Sequence, residues 1–192
     1  MRNSTSKIDV KRLTYLAIFT ALIFVLQLLS FFMRGPVFSL TFVLVPIVIA
    51  VALCGVAAGP WLGFIFGVAV LVSGDAALFL TFDPFGTVVT VLLKGTLAGL
   101  FAAIVYKALE NKNRYLAVIL AAVTAPVVNT GVFFLGCLVF FFDDIMNYYS
   151  LGAGEVVGFI VTGFIGINFL IEVAVNMILV PTIYRVINIK KK

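Results

Sequence analysis

The chain has 192 residues, 64% of them hydrophobic and 11% charged, with a formal net charge of +5, no histidine and a mean hydropathy of +1.25. A soluble domain of this size has no interior able to hide so much apolar surface, so composition predicts an all-α integral membrane protein with one membrane domain, residues 1–192. The lack of histidine removes histidine acid–base catalysis, the zinc-protease helix motif and haem ligation, and the basic residues are distributed as marks of membrane topology, with nothing to suggest nucleic-acid binding.

About a dozen polar residues precede the first apolar run, residues 13–31, and no small-residue cleavage site follows a short core, so a retained span is expected instead of a removed signal peptide. The second span is 40–56, with Pro46 inside it. An uncharged tight turn around Gly55, Gly59 and Pro60 leads into the third, 58–73. A loop at 74–83 holds Asp75 and Asp83 and ends in Asp83-Pro84, where the fourth span, 84–108, begins. Glu110 to Arg114 interrupt the apolar pattern before the fifth span, 115–141, which contains Pro126. Asp143, Asp144 and Glu155 mark a loop at 142–156, and the sixth span, 157–187, carries Pro181 near its end. Pro46, Pro126 and Pro181 are expected to kink their helices. Cys54 and Cys137 lie in apolar runs and read as small buried hydrophobes, in neither a disulfide nor a metal site.

Six spans place both termini on one side of the bilayer. That side collects Arg2, Lys7, Lys11, Arg12, Lys107, Lys112, Arg114, Arg185, Lys190, Lys191 and Lys192, whereas the opposite loops hold Arg34 against Asp75, Asp83, Asp143, Asp144 and Glu155. The excess of Lys and Arg predicts a six-transmembrane-helix bundle with both termini cytoplasmic. The outer loops, 32–39, 74–83 and 142–156, are where a ligand would be gated. Small residues recur every fourth position: Ala17 and Ala21; Gly59, Gly63 and Gly67; Gly95, Gly99 and Ala103; Ala117, Ala121 and Ala125; Gly158, Thr162 and Gly166. Each set lets another backbone approach closely. For Ala17 and Ala21, on a helix otherwise built of bulky residues, internal packing and docking of a partner membrane subunit are both open.

Lys94 lies roughly 15 Å into the fourth span, near the middle of a bilayer about 30 Å thick. A cation there costs on the order of 3 kcal/mol unless it meets a partner, a cavity or a ligand. Asn129 is about 21 Å up the fifth span and Asn168 about 17 Å down the sixth, so three polar side chains reach one level. Thr90 and Thr87 continue the Lys94 face towards the Asp83 mouth, Phe133 lies one turn outward of Asn129, and Glu172 and Asn176 follow Asn168 at i+4 and i+8. Two readings stay open. In one, Lys94, Asn129 and Asn168 floor a small-molecule pocket in the outer half of the bundle. In the other, Lys94 and Glu172 form an ion pair that holds the helices together. Arg34, beside Gly35-Pro36, is either a lid contact or a solvated cation.

No phosphate-binding loop is present, so the chain cannot power itself with ATP, and neither an aspartate cluster of the phosphotransferase kind nor a nucleophile–base pair points to an enzyme. A stand-alone proton-coupled secondary transporter of a small organic anion, using Lys94 and Glu172, is the competing class. A small membrane enzyme and a purely structural subunit are weaker alternatives.

The chain resembles the substrate-binding S components of energy-coupling factor (ECF) vitamin transporters over nearly its whole length. The resemblance rests on size, six spans, Ala17-x-x-x-Ala21, the run Leu44-Val-Pro46-Ile-Val-Ile, Gly59-Pro-Trp-Leu-Gly63-Phe-Ile-Phe-Gly67, Leu92-Leu-Lys94-Gly95-Thr-Leu-Ala-Gly99 and Pro126-Val-Val-Asn129-Thr-Gly131. It implies a transmembrane coupling (T) subunit met at Ala17 and Ala21, two cytoplasmic ATPases, and an outer pocket between spans four and six lidded by loops one and three; a bacterial-type cytoplasmic membrane and no cofactor are expected. The expected substrate-binding residues are Lys94, Asn129, Asn168, Thr87, Thr90, Phe133, Asp83 and Arg34. Lys94 with Arg34 favours an anionic vitamin such as pantothenate.

Overall fold

The computed structural model describes residues 10–32 and 42–190, and every element in them is helical. Arg34 lies outside the described residues, as does the first expected outer loop apart from Phe32. In chain order the helices are α1 (Val10–Phe32), α2 (Leu44–Cys54), α3 (Ala58–Ser73), α4 (Ala77–Phe82), α5 (Pro84–Leu109), α6 (Arg114–Phe140), α7 (Phe142–Tyr148), α8 (Ala153–Phe159) and α9 (Ile167–Lys190), with a π-helical segment, Ile160–Gly166, joining α8 to α9. Among the described residues, four stretches are long and apolar enough to cross a membrane: Val10–Ser30, Pro84–Leu109, Arg114–Phe140 and Ala153–Asn188. The apolar helices α2 and α3, of 11 and 16 residues, are shorter.

The long helices run alternately up and down. Gly55, in the α2–α3 turn, approaches the Arg12 guanidinium of α1, and Arg114 at the start of α6 donates to Asn188 near the end of α9 at 3.0 Å. At the opposite end, Gln27 of α1 reaches Ser73, the last residue of α3, and Asp75 just beyond it, both at 3.4 Å. The described chain therefore starts and finishes at one end of the bundle, and α4 and α7 sit at the other.

Local signals explain the boundaries. Gly55 and Gly74 end α2 and α3 with φ of 86° and 79°, a left-handed backbone that glycine adopts without steric cost. Pro84 opens α5 where its missing N–H costs nothing. The Asn113 side chain caps α6 by accepting from Leu116 N–H at 3.0 Å. The expected loops at 74–83 and 142–156 are largely helical, as α4, α7 and the first turn of α8. Glu155 belongs to that turn, and its carboxylate accepts from Gly152 N–H at 2.9 Å. Pro46 stands in the first turn of α2, where no intrahelical hydrogen bond is lost, so the kink expected there has no cause. Pro126 and Pro181 lie inside α6 and α9.

The tightest packing is between α3 and α5. A Cβ at Gly63 would strike the Gly95 carbonyl oxygen and one at Gly95 the Gly63 carbonyl oxygen; Gly59 and Gly99 are related in the same way. Backbones this close leave room for no side chain at all. Ala117, Ala121 and Ala125 of α6 are fully buried in the same core. The remaining small residues behave differently. Ala17, Ala21, Gly158 and Thr162 are exposed, so no helix among the described residues covers them. Cys54 and Cys137 are free and buried.

Candidate functional site

A cavity of about 640 Å³ occupies the half of the bundle remote from Val10 and Lys190. That volume is in the range of small-molecule sites. Its wall draws on the end of α3, the Asp75–Ala76 turn, α4, the first half of α5, the second half of α6 and the stretch from α8 to the start of α9.

Lys94, Thr87 and Thr90 enter from α5, Asn129 and Phe133 from α6, and Asn168 and Glu172 from α9. Helix rise explains the meeting: antiparallel helices carry residues at similar distances from one bundle end to one level. The Lys94 ammonium stands 5.1 Å from the centre of the Phe133 ring, a cation–π distance that offsets part of its desolvation. Thr87 is fully buried and donates its hydroxyl to the Asp83 carbonyl at 2.7 Å. Asn168 donates to the Phe164 carbonyl at 3.0 Å.

Two oxygens differ from these. Thr90 Oγ1 and Asn129 Oδ1 are buried and have no hydrogen-bond partner among the described residues. A buried acceptor left without a donor costs about 1–3 kcal/mol, so such atoms in a cavity wall mark places where a bound molecule is welcome.

Of the expected residues, Asp83 falls outside the cavity wall. It stands before the first turn of α5, with its carboxylate beside Gly86. Asn176 is buried below the cavity and donates to the Glu172 carbonyl at 2.8 Å.

Sequence reasoning missed the aromatic walls. Phe79 of α4 meets Phe133, Phe141 and Phe164 with ring centroids 5.3, 5.1 and 5.6 Å away. Tyr149 packs on Phe159 at 4.5 Å, and Phe159 on Phe164 at 5.4 Å. The mostly tilted and edge-on arrangements are those that aromatic rings favour. Burial, and next the neighbouring Tyr148, push the Tyr149 phenol above its ordinary pKa, so its hydroxyl stays protonated and able to donate. Asp75 was also missed as a wall residue, although a lone glutamine in an apolar helix, Gln27, was the available signal for its partner.

The π-helical segment lies in this wall and contributes Gly163, Phe164 and Ile165. Phe164 and Asn168, four residues apart, share the face that lines the cavity. Such π-helical segments cluster at functional sites.

A family model for the substrate-specific component of ECF transporters matches residues 11–184. Comparison with curated proteins and with solved structures finds no match.

Proposed function

Because this chain belongs to the family of ECF transporter substrate-specific components, a group of multi-pass membrane proteins that bind substrate for a transporter and are not enzymes, we propose that the 640 Å³ cavity is its substrate site. Lys94, Asn129 and Asn168 form the floor, Thr87, Thr90 and Phe133 the wall above them, and the aromatic residues of α4 and the π-helical segment enclose the ligand. The observation that carries this reading is the convergence of three polar side chains, from three helices, on one cavity that also holds two unpartnered buried oxygens.

In this proposal α1, α2, α3, α5, α6 and the α8–α9 stretch are six spans, and the Lys and Arg excess puts both termini in the cytoplasm of a bacterial-type cell. The cavity is then in the outer half. Ala17 and Ala21, exposed on α1, form the face that meets the T subunit, and two cytoplasmic ATPases supply the energy. Arg34 of the first outer loop belongs to the lid. The ligand is a small anionic vitamin, with pantothenate the candidate: Lys94 and the Asn168 amide suit a carboxylate. Isothermal titration of pantothenate, beside mass spectrometry of small molecules that copurify with the solubilised protein, tests this. Binding of pantothenate that Lys94→Ala leaves unchanged would remove the charge argument.

Lys94 and Glu172 line one cavity, which also favours a proton-coupled secondary transporter of a small organic anion. Uptake into vesicles under a pH gradient, without ATPase partners, separates the two: only the carrier transports.

A further inference from the structure

At the end of the bundle where the described chain starts and finishes, a second cavity of about 700 Å³ opens beside α6 and α9, lined by Tyr115, Pro181, Thr182, Tyr184, Arg185 and Asn188 among others. The Tyr115 and Tyr184 rings meet edge to face at 5.1 Å. Arg114 stands behind the wall, where its Nη1 donates to the Asn188 amide oxygen at 3.0 Å and its buried Nε has no partner. That partner is neutral. Arg185 is exposed. Glu110, the acid at this end among the described residues, is held by Lys107 at 2.6 Å. Towards the middle of the bundle the same helices expose Leu116, Leu120, Met177 and Ile178.

Two arginines and two tyrosines thus crown an apolar strip. Tyrosines gather at the headgroup level of bilayers, and guanidinium groups pair with phosphate. We infer that this groove binds an anionic phospholipid, its phosphate set against Arg185, with Arg114 adding positive charge from behind the wall, and an acyl chain lying along Pro181 and Ile178. The apolar strip below the cations favours a lipid over free phosphate, which has nothing to place there. The inference needs the protein to be membrane-embedded but is independent of which ligand fills the first cavity.

The test is native mass spectrometry of the full chain released from bilayers of equal parts phosphatidylglycerol and phosphatidylcholine. The wild type is expected to retain phosphatidylglycerol preferentially, and the preference to shrink as ionic strength rises. Arg185→Gln lowers the ratio roughly fivefold and Arg114→Gln by a smaller factor, whereas Arg185→Lys keeps most of it. The wild-type measurements stand even if a variant fails to fold. Equal retention of the two lipids overturns the inference, as does a preference unchanged in the folded double variant. Displacement of phosphatidylglycerol by millimolar inorganic phosphate would make the site one for soluble phosphate. Arg185→Gln that spares the lipid ratio but ends association with the cytoplasmic ATPases would make it a protein contact.

Discussion

The two halves of α6 show how one bundle holds a solid core at one end and a cavity at the other. From Ala117 to Ala125 the buried residues are small, and this half joins the core in which α3 and α5 touch through Gly59, Gly63, Gly95 and Gly99. From Asn129 to Phe140 the same helix carries Phe133, and Phe141 just beyond its end, into a separate aromatic cluster with Phe79, Tyr149, Phe159 and Phe164. Pro126 stands at the border. Small faces let backbones meet and leave no space. Rings meeting edge-on hold helices apart, and a polar floor survives between them.

The comparison breaks most visibly at the glycines. Gly63→Val forces Cγ atoms where even a Cβ collides with the Gly95 carbonyl oxygen, and overpacking of this kind costs about 3 kcal/mol. Thermal unfolding in detergent should fall steeply, with the cavity lost along with the fold. Lys94→Ala should do the reverse. Removing an intramembrane cation costs the fold little, but a charge-assisted contact to the ligand is worth about 2–3 kcal/mol, so affinity drops by roughly two orders of magnitude at an unchanged melting temperature. If Lys94→Ala melts early and binds as before, Lys94 is a structural partner of Glu172.

Phe79→Ala comes next. Phe79 touches Phe133, Phe141 and Phe164 from a helix of six residues, none of them fully buried. Losing those ring contacts opens the wall and costs roughly 1.5 kcal/mol, about tenfold in ligand affinity by titration, with little change in melting because α3 and α5 are untouched. A large stability loss would instead make Phe79 part of the structural core.

These effects divide as the residues were legible. Lys94, Asn129 and Asn168 could be placed together because a polar group in a membrane is costly and helix rise fixes its depth. The α3–α5 contact could be read because small residues every fourth position form one stripe. Phe79, Phe159 and Phe164 could not. A phenylalanine in an apolar run looks the same whether it faces lipid, core or ligand, and the turn-like 74–83 segment hid the helix that aims Phe79. The π-helical segment was invisible for a related reason: Gly163 and Gly166 permit it, but one extra residue per turn changes no composition. Asp83, expected at the mouth above the Thr87 and Thr90 face, stands outside the cavity wall because it precedes the first turn of α5.

The smallest effects belong to the small residues that no helix among the described residues covers. A Cβ at Gly158 meets nothing within 4 Å, so Gly158→Ala should leave ligand affinity alone and raise stability by up to ~1 kcal/mol through helix propensity. Ala17→Trp should likewise move the melting temperature of the isolated protein little, because exposed substitutions stay within about 0.5 kcal/mol. The two stripes then part in the presence of the T subunit and its ATPases. Ala17→Trp places an indole where a facing helix must approach closely, so co-purification of the partners should fail, while Gly158→Ala, on the α8 side of the bundle, should leave it intact. If Gly158→Ala weakened assembly and Ala17→Trp did not, the docking face would lie on α8 and not on α1, and the small stripe of the first helix would need no partner to explain it.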